Sequence, residues 1–129
     1  MRMLLDSCAF VDLATQADSL TERAISEYQN IHNDCYLSVA TVWELGLKKS
    51  LSKLSFDIDA AVKMLDENGI KLLDINLPIS LMVNKLPYHH KDPFDRIIIT
   101  TAKINNMMIM TSDDIFSQYG VDIIQSRVR

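Results

Sequence analysis

Glycine and proline are scarce in this chain, three of each in 129 residues. That scarcity excludes collagen-like and loop-dominated architectures, which depend on those two residues. Cysteine is scarcer still, with only Cys8 and Cys35. Two cysteines are too few for a disulfide framework and show no C-x-x-C spacing, so they read as reduced core thiols. No apolar run approaches the ~20 residues of a membrane span. The opening segment Met1-Arg2-Met3-Leu4-Leu5-Asp6 meets a carboxylate too soon for a signal peptide. The expectation is therefore a cytoplasmic protein with no membrane partner. Positive charge is also in deficit. Thirteen basic residues against seventeen acidic ones leave a net charge of −4. That balance argues against gripping nucleic acid by bulk charge, while leaving open an enzyme that reaches phosphates through metal ions.

What is present is an ordinary globular composition, 48% hydrophobic and 23% charged. The length suits one domain over residues 1–129, large enough to bury a real core. No repeat or linker divides it. Short apolar runs alternate with helical patterns. Strands are expected at Met3–Leu5, Cys35–Leu37, Ile70–Ile75, Met107–Met110 and Val121–Ile124. Helices are expected at Ser7–Ala14, Leu20–Ile31, from Ser38 onward, at Asp57–Glu67, Pro78–Leu86, from Pro93 to Asn105-Asn106, and at Asp113–Tyr119. Ser38 and Asp92 suit N-caps, and Pro93 suits a first helical position. Trp43 and the methionines of Met107–Met110 read as core filling. Strands separated by helices point to an α/β fold, a mainly parallel central sheet with helices on both faces. In such sheets, sites form at the carboxyl ends of the strands.

Four acidic residues stand out by context. Asp6 ends the first strand and Asp113 follows the strand at Met107–Met110, so both would project at the carboxyl edge of the sheet. Glu44 lies between Trp43 and Leu45 beside an apolar helical stripe, and Asp95 shares a stripe with Ile98, Ile99 and Ala102. Each also has a plain structural role open to it. Asp6 and Asp113 can cap the helices that follow them, Asp95 can join Asp92 in a capping arrangement, and Glu44 can pair with Lys48 at i,i+4. If they converge, two like charges ~6 Å apart at an effective dielectric of ~20 repel by about 3 kcal/mol. Several such pairs need protons or cations. Oxygen-only donors favour Mg²⁺ or Mn²⁺, which activate water and neutralise phosphate.

Four blocks resemble the PIN-domain ribonucleases, specifically the VapC-like toxins of type II toxin–antitoxin systems. They are Leu4-Leu5-Asp6-Ser7, Ser38–Leu45, Leu86–Arg96 (LPYHHKDPFDR), and Thr111–Phe116 followed by Tyr119-Gly120-Val121. The resemblance implies a PIN-like three-layer sandwich and a catalytic set of Asp6, Glu44, Asp95 and Asp113. It implies Mg²⁺ or Mn²⁺ held by Asp6, Asp95 and Asp113, with Glu44 orienting or deprotonating the attacking water or completing a second metal site. It also implies endonucleolytic RNA cleavage to a 5′-phosphate and a 3′-hydroxyl, a homodimer, and a cognate antitoxin that occludes the site. Ser7, Lys48, Arg96 and Thr111 are the substrate-binding candidates. Members of this subgroup often carry Thr-His where this chain has Ser7-Cys8. The hydroxyl is kept there and the imidazole is lost.

Asp92 reads first as a cap and second as a ligand. His89 and His90 are adjacent, poor geometry for joint ligation of one ion, and read as surface residues or as contacts to RNA or antitoxin. Lys48, Lys49 and Lys53 form a basic stretch that suits either a solvated helix end or an RNA backbone contact. Two other functions fit the fold class: a catalytically silent interaction module, and a receiver-type phosphoryl-transfer domain. The intact carboxylates count against the first. Against the second, Asp6 has no adjacent acidic partner and Thr111-Ser112 leads to acid where a lysine would be needed.

Overall fold

The computed structural model describes residues 1–129. Five short strands form one parallel sheet: β1 (Arg2–Leu5), β2 (Asp34–Ser38), β3 (Ile70–Leu73), β4 (Met108–Thr111) and β5 (Ile123–Gln125), in the order β3-β2-β1-β4-β5. Six α-helices connect them: α1 (Ser7–Thr15), α2 (Glu22–Gln29), α3 (Val39–Ser50), α4 (Ile58–Lys63), α5 (Leu77–Met82) and α6 (Pro93–Asn105). Single 3₁₀ segments cover Val83–Lys85 and Asp114–Tyr119.

Strand alternation divides the core into two layers. Met3 and Leu5 face one side with Cys35, Leu37, Ile70 and Met110, packed on Phe10, Ala24, Leu45 and Ile58 of α1–α4. Leu4 and Ile109 face the other side, packed on Ile98, Ile99 and Ala102 of α6 and on Phe116. The sheet is thus covered on both faces, as fully buried parallel strands require. The chain moves outward from β1 through β2 to β3, then crosses back to β4 on the other side of β1. The carboxyl ends of β1 and β4 therefore flank the switch point where such sheets place their sites. Because α6 leads directly into β4, it runs against the strands and brings its N-terminus back to that same edge.

Several boundaries differ from the sequence expectation, each for a local reason. Thr21 caps α2, so Leu20 stays outside the helix and bridges Arg127. Helix α4 stops at Lys63, and turns lead from there to Gly69, whose φ of +70° a side chain would strain. Strand β3 is shorter than Ile70–Ile75, and β5 starts at Ile123 where a start at Val121 was expected. Segment 114–119 winds as a 3₁₀ helix closed by Gly120 at φ +74°.

Two core assignments are corrected. Trp43 is 58% exposed. The buried side of α3 is Ala40, Thr41, Glu44 and Leu45, and Trp43 lies off that side, its indole edge-on to Phe94 with centroids 4.9 Å apart. Cys8 is free but exposed on α1, while Cys35 is free and buried. No helix is long and apolar enough to cross a membrane.

Candidate functional site

Asp6 follows β1 directly, and its backbone N–H still donates to Met110 of β4 at 3.1 Å, continuing the ladder by one rung. Its side chain turns back to cap α1, with Oδ1 accepting from the Ala9 N–H at 2.8 Å. Oδ2 accepts from the Thr111 hydroxyl at 2.5 Å. Thr111 in turn accepts the Asp113 N–H at 3.0 Å, so one buried hydroxyl ties the ends of β1 and β4 together. Asp113 caps the 3₁₀ segment through Oδ1, which leaves Oδ2 facing His90.

The other two carboxylates arrive on helices. Glu44 is 3% exposed on α3. Its Oε2 receives Lys48 Nζ at 2.7 Å, while Oε1 is buried with no partner. Asp95 sits in the first turn of α6, where Pro93 sets φ and the Asp92 carboxylate caps the N–H groups of Phe94 and Asp95. Its Oδ2 lies 3.0 Å from His90 Nε2, and the same nitrogen lies 3.0 Å from Asp113 Oδ2. The facing atoms of His90, Asp95 and Asp113 all fall within 4.8 Å of one another.

These acids lie within Coulombic reach of one another. Burial pushes Asp6 up from 3.8 to about 6, against the lowering effect of its bonds from Thr111 and Ala9, with Glu44 and Asp113 adding like-charge repulsion. Burial pushes Asp95 up to about 8, reinforced by Asp92, Glu44, Asp6 and Asp113 in turn. Asp95 and Asp113 thus meet across His90, with Asp6 and Glu44 within Coulombic reach of them. Three of the plain roles, the two caps and the Glu44–Lys48 pair, are realised as well and do not compete with convergence.

The donor set fits a hard divalent cation. It consists of carboxylate oxygens, two of them held far from their ordinary protonation by burial and repulsion, with a further buried oxygen, Glu44 Oε1, lacking any donor. A cation relieves both conditions. His90 is the residue whose place sequence reasoning missed. Adjacency to His89 suggested a surface pair, yet His89 stacks edge-on against Tyr119 while His90 turns into the pocket, 14% exposed. Its position two residues before the cap Asp92 was the available signal.

Of the substrate candidates, Lys48 stands at the rim, half-exposed beside Glu44, and Ser7 is buried immediately after Asp6. Two are corrected. Arg96 is 4% exposed, and its guanidinium donates to the carbonyls of Val83, Leu86, Pro87 and His90 at 2.9–3.1 Å. The Tyr88 ring covers it at 3.9 Å. It braces the loop before α6 and has neither a carboxylate partner nor a face turned to a phosphate. Thr111 is fully buried with its hydroxyl engaged on both sides, so it positions Asp6 and Asp113.

Away from the carboxylates, an apolar groove of about 340 Å³ runs between α1, α2 and α4, lined by Phe10, Leu13, Tyr28, Phe56, Met64 and Leu65 among others. Its walls are apolar apart from Asp57 and Asn68.

Solved structures with the same fold include the VapBC2 complex of Rickettsia felis bound to a promoter DNA fragment, with TM-score 0.70 and 14% identity over 98% of this chain and 99% of that one. A toxin–antitoxin complex from Klebsiella pneumoniae matches with TM-score 0.69 and 16% identity over 98% and 99%. FitAcB from Neisseria gonorrhoeae matches with TM-score 0.64 and 19% identity over 95% and 96%. No curated protein matches the sequence. The family model for the PIN domain matches residues 3–122, and with that span and this architecture the chain belongs to the PIN domain family.

Proposed function

We propose that this protein is a metal-dependent endoribonuclease acting as the toxin of a type II toxin–antitoxin pair. The observation that carries the reading is the convergence of Asp6, Glu44, Asp95 and Asp113 at the sheet's switch point, with burial and mutual repulsion raising two of them. Asp6, Asp95 and Asp113 would hold Mg²⁺ or Mn²⁺. When bound, the ion supplies an acidified water and neutralises charge on a scissile phosphate.

The chain's own groups supply the rest. Thr111 fixes the rotamer of Asp6 and, through the Asp113 N–H, the start of the next turn. Glu44 keeps Oε1 free as a proton acceptor while Lys48 holds Oε2. That bond orients the acceptor. Lys48, half-exposed at the rim, would meet an RNA backbone, with Ser7 buried beside Asp6 behind it. With a net charge of −4, binding rests on such local contacts and on the ion.

Partners follow from surface chemistry. The apolar groove between α1, α2 and α4 suits an apolar antitoxin segment, in line with neighbours that are toxin–antitoxin complexes. Exposed Trp43 and Leu47 on α3, Leu51 just after it, and Leu77 and Leu81 on α5 suit a second copy, and the reading includes a homodimer in the cytoplasm.

The test is cleavage of a mixed RNA pool by purified, antitoxin-free protein with Mn²⁺, with Mg²⁺ and with chelator, beside folded Asp6→Asn and Asp95→Asn. Cutting that needs metal and vanishes in both variants supports the reading. Cutting that survives chelator or both substitutions refutes the carboxylate mechanism.

A further inference from the structure

His90 is held from several sides before it touches a carboxylate. Its backbone N–H donates to the Tyr119 hydroxyl at 2.7 Å, and its carbonyl accepts from Arg96 at 3.1 Å. Its ring stands edge-on to the fully buried Phe116, centroids 5.7 Å apart. The decisive contact is at Nδ1, which faces the backbone N–H of Asp92 at 3.2 Å. An amide N–H can only donate, so Nδ1 presents its lone pair. In a neutral imidazole the proton then resides on Nε2. That N–H points between Asp95 Oδ2 and Asp113 Oδ2, 3.0 Å from each.

A metal-bound histidine has the opposite arrangement. Its lone pair faces the ion, and its other nitrogen donates a proton to a carboxylate or carbonyl. At Nδ1 of His90 the neighbour is a donor, so the ring is wired against ligation although Nε2 lies among candidate metal ligands.

We propose that His90 is a positioning residue of the carboxylate centre and not one of its ligands: a fixed Nε2–H donor that draws Asp95 from α6 and Asp113 from the end of β4 toward one another, so that a divalent cation meets a pair already assembled. This rests on the metal-centre reading above and names one more part of that site. Holding two carboxylates together against repulsion is unfavourable without a donor between them. His90 provides that donor from a loop that Arg96 braces. Loss of the donor leaves the fold intact but lets the two acids part, and outer-shell losses of this kind lower metal affinity about ten- to a hundredfold.

Two measurements on the full chain test this. Nitrogen-15 NMR of the imidazoles reads the tautomer with chelator and with Mg²⁺. The proposal expects His90 protonated on Nε2 in both states, and loss of the Nε2 proton on adding Mg²⁺ would make it a ligand and overturn the proposal. Calorimetric Mn²⁺ titration compares wild type with His90→Ala, His90→Gln and His90→Asn, each checked by circular dichroism. Gln can return an N–H near the Nε2 position, whereas Asn reaches only the Nδ1 position. Affinity should fall about ten- to a hundredfold in Ala and Asn and recover most of that in Gln. Unchanged or tighter binding in a folded His90→Ala overturns the proposal while the metal centre stands. A wild-type chain that binds no Mn²⁺ removes the metal-centre reading and this proposal with it.

Discussion

At the scale of single residues, the site is a set of acids held under repulsion, and this has a pH signature. Asp6 is raised to about 6 and Asp95 to about 8 from an ordinary 3.8. The folded chain therefore keeps protons that the unfolded chain releases between about pH 4 and pH 8. More protons on the native state means that stability falls as pH rises through that window. Thermal melts in chelator should show the midpoint dropping from pH 5 to pH 8, and saturating Mn²⁺ should restore it by binding only the native state. A metal-free midpoint that climbs across the window would contradict the account. Asp95→Asn removes one charge from the cluster. It should melt higher than wild type in chelator near pH 8 and lose its response to Mn²⁺. RNA cleavage should fall by more than about a hundredfold, because even outer-shell losses cost about ten- to a hundredfold. The four acids were legible in the sequence because each broke a pattern, a carboxylate at a strand end or on an apolar stripe. His90 was not, because its orientation depends on the Asp92 N–H and on Phe116, contacts that no local periodicity encodes.

At the scale of elements, the loop before α6 is organised by one side chain. Arg96 leaves α6 from its buried side and gathers the carbonyls of Val83, Leu86, Pro87 and His90. Arg96→Ala should cost about 3 kcal/mol in denaturant unfolding, since buried acceptors lose charge-assisted bonds. Arg96→Lys should recover little, because an ammonium cannot span that fork. A change below about 1 kcal/mol in both variants would show the brace to be dispensable. The caps of these helices were readable from Ser38, Asp92 and Pro93, because capping is local chemistry. The direction of Arg96 was not, since a cation among several acids of a candidate site reads as a substrate contact. Burial of α6 decided otherwise: a guanidinium 4% exposed takes the nearest acceptors, and those are the loop's carbonyls. Trp43 failed for a related reason. Apolar residues Val39, Val42 and Leu47 suggested one face of α3, but the sheet selected the side bearing Ala40, Thr41 and Leu45.

At the scale of the whole molecule, alternation of strands with helices indicated a parallel sheet, but not its order, because periodicity fixes element type and not neighbours. The order β3-β2-β1-β4-β5 is what makes the site. It sets the ends of β1 and β4 side by side and returns α6 to the same edge, so acids far apart in the chain meet. Trp43 and Leu47 on α3 and Leu77 and Leu81 on α5 stay exposed. Trp43→Glu should shift a dimer to monomer in light scattering while leaving the melting midpoint within a few degrees, since the indole lies outside the core. An unchanged mass would exclude this face as the contact between copies. The central claim is that Asp6, Asp95 and Asp113 hold a divalent cation. Its most direct test is a crystal of the full chain grown with Mn²⁺, with anomalous scattering collected at the manganese edge. A peak within ligand distance of those carboxylates, absent from Asp95→Asn crystals, is the result this account predicts. A well-ordered pocket with no peak, or a peak seated elsewhere, would contradict it.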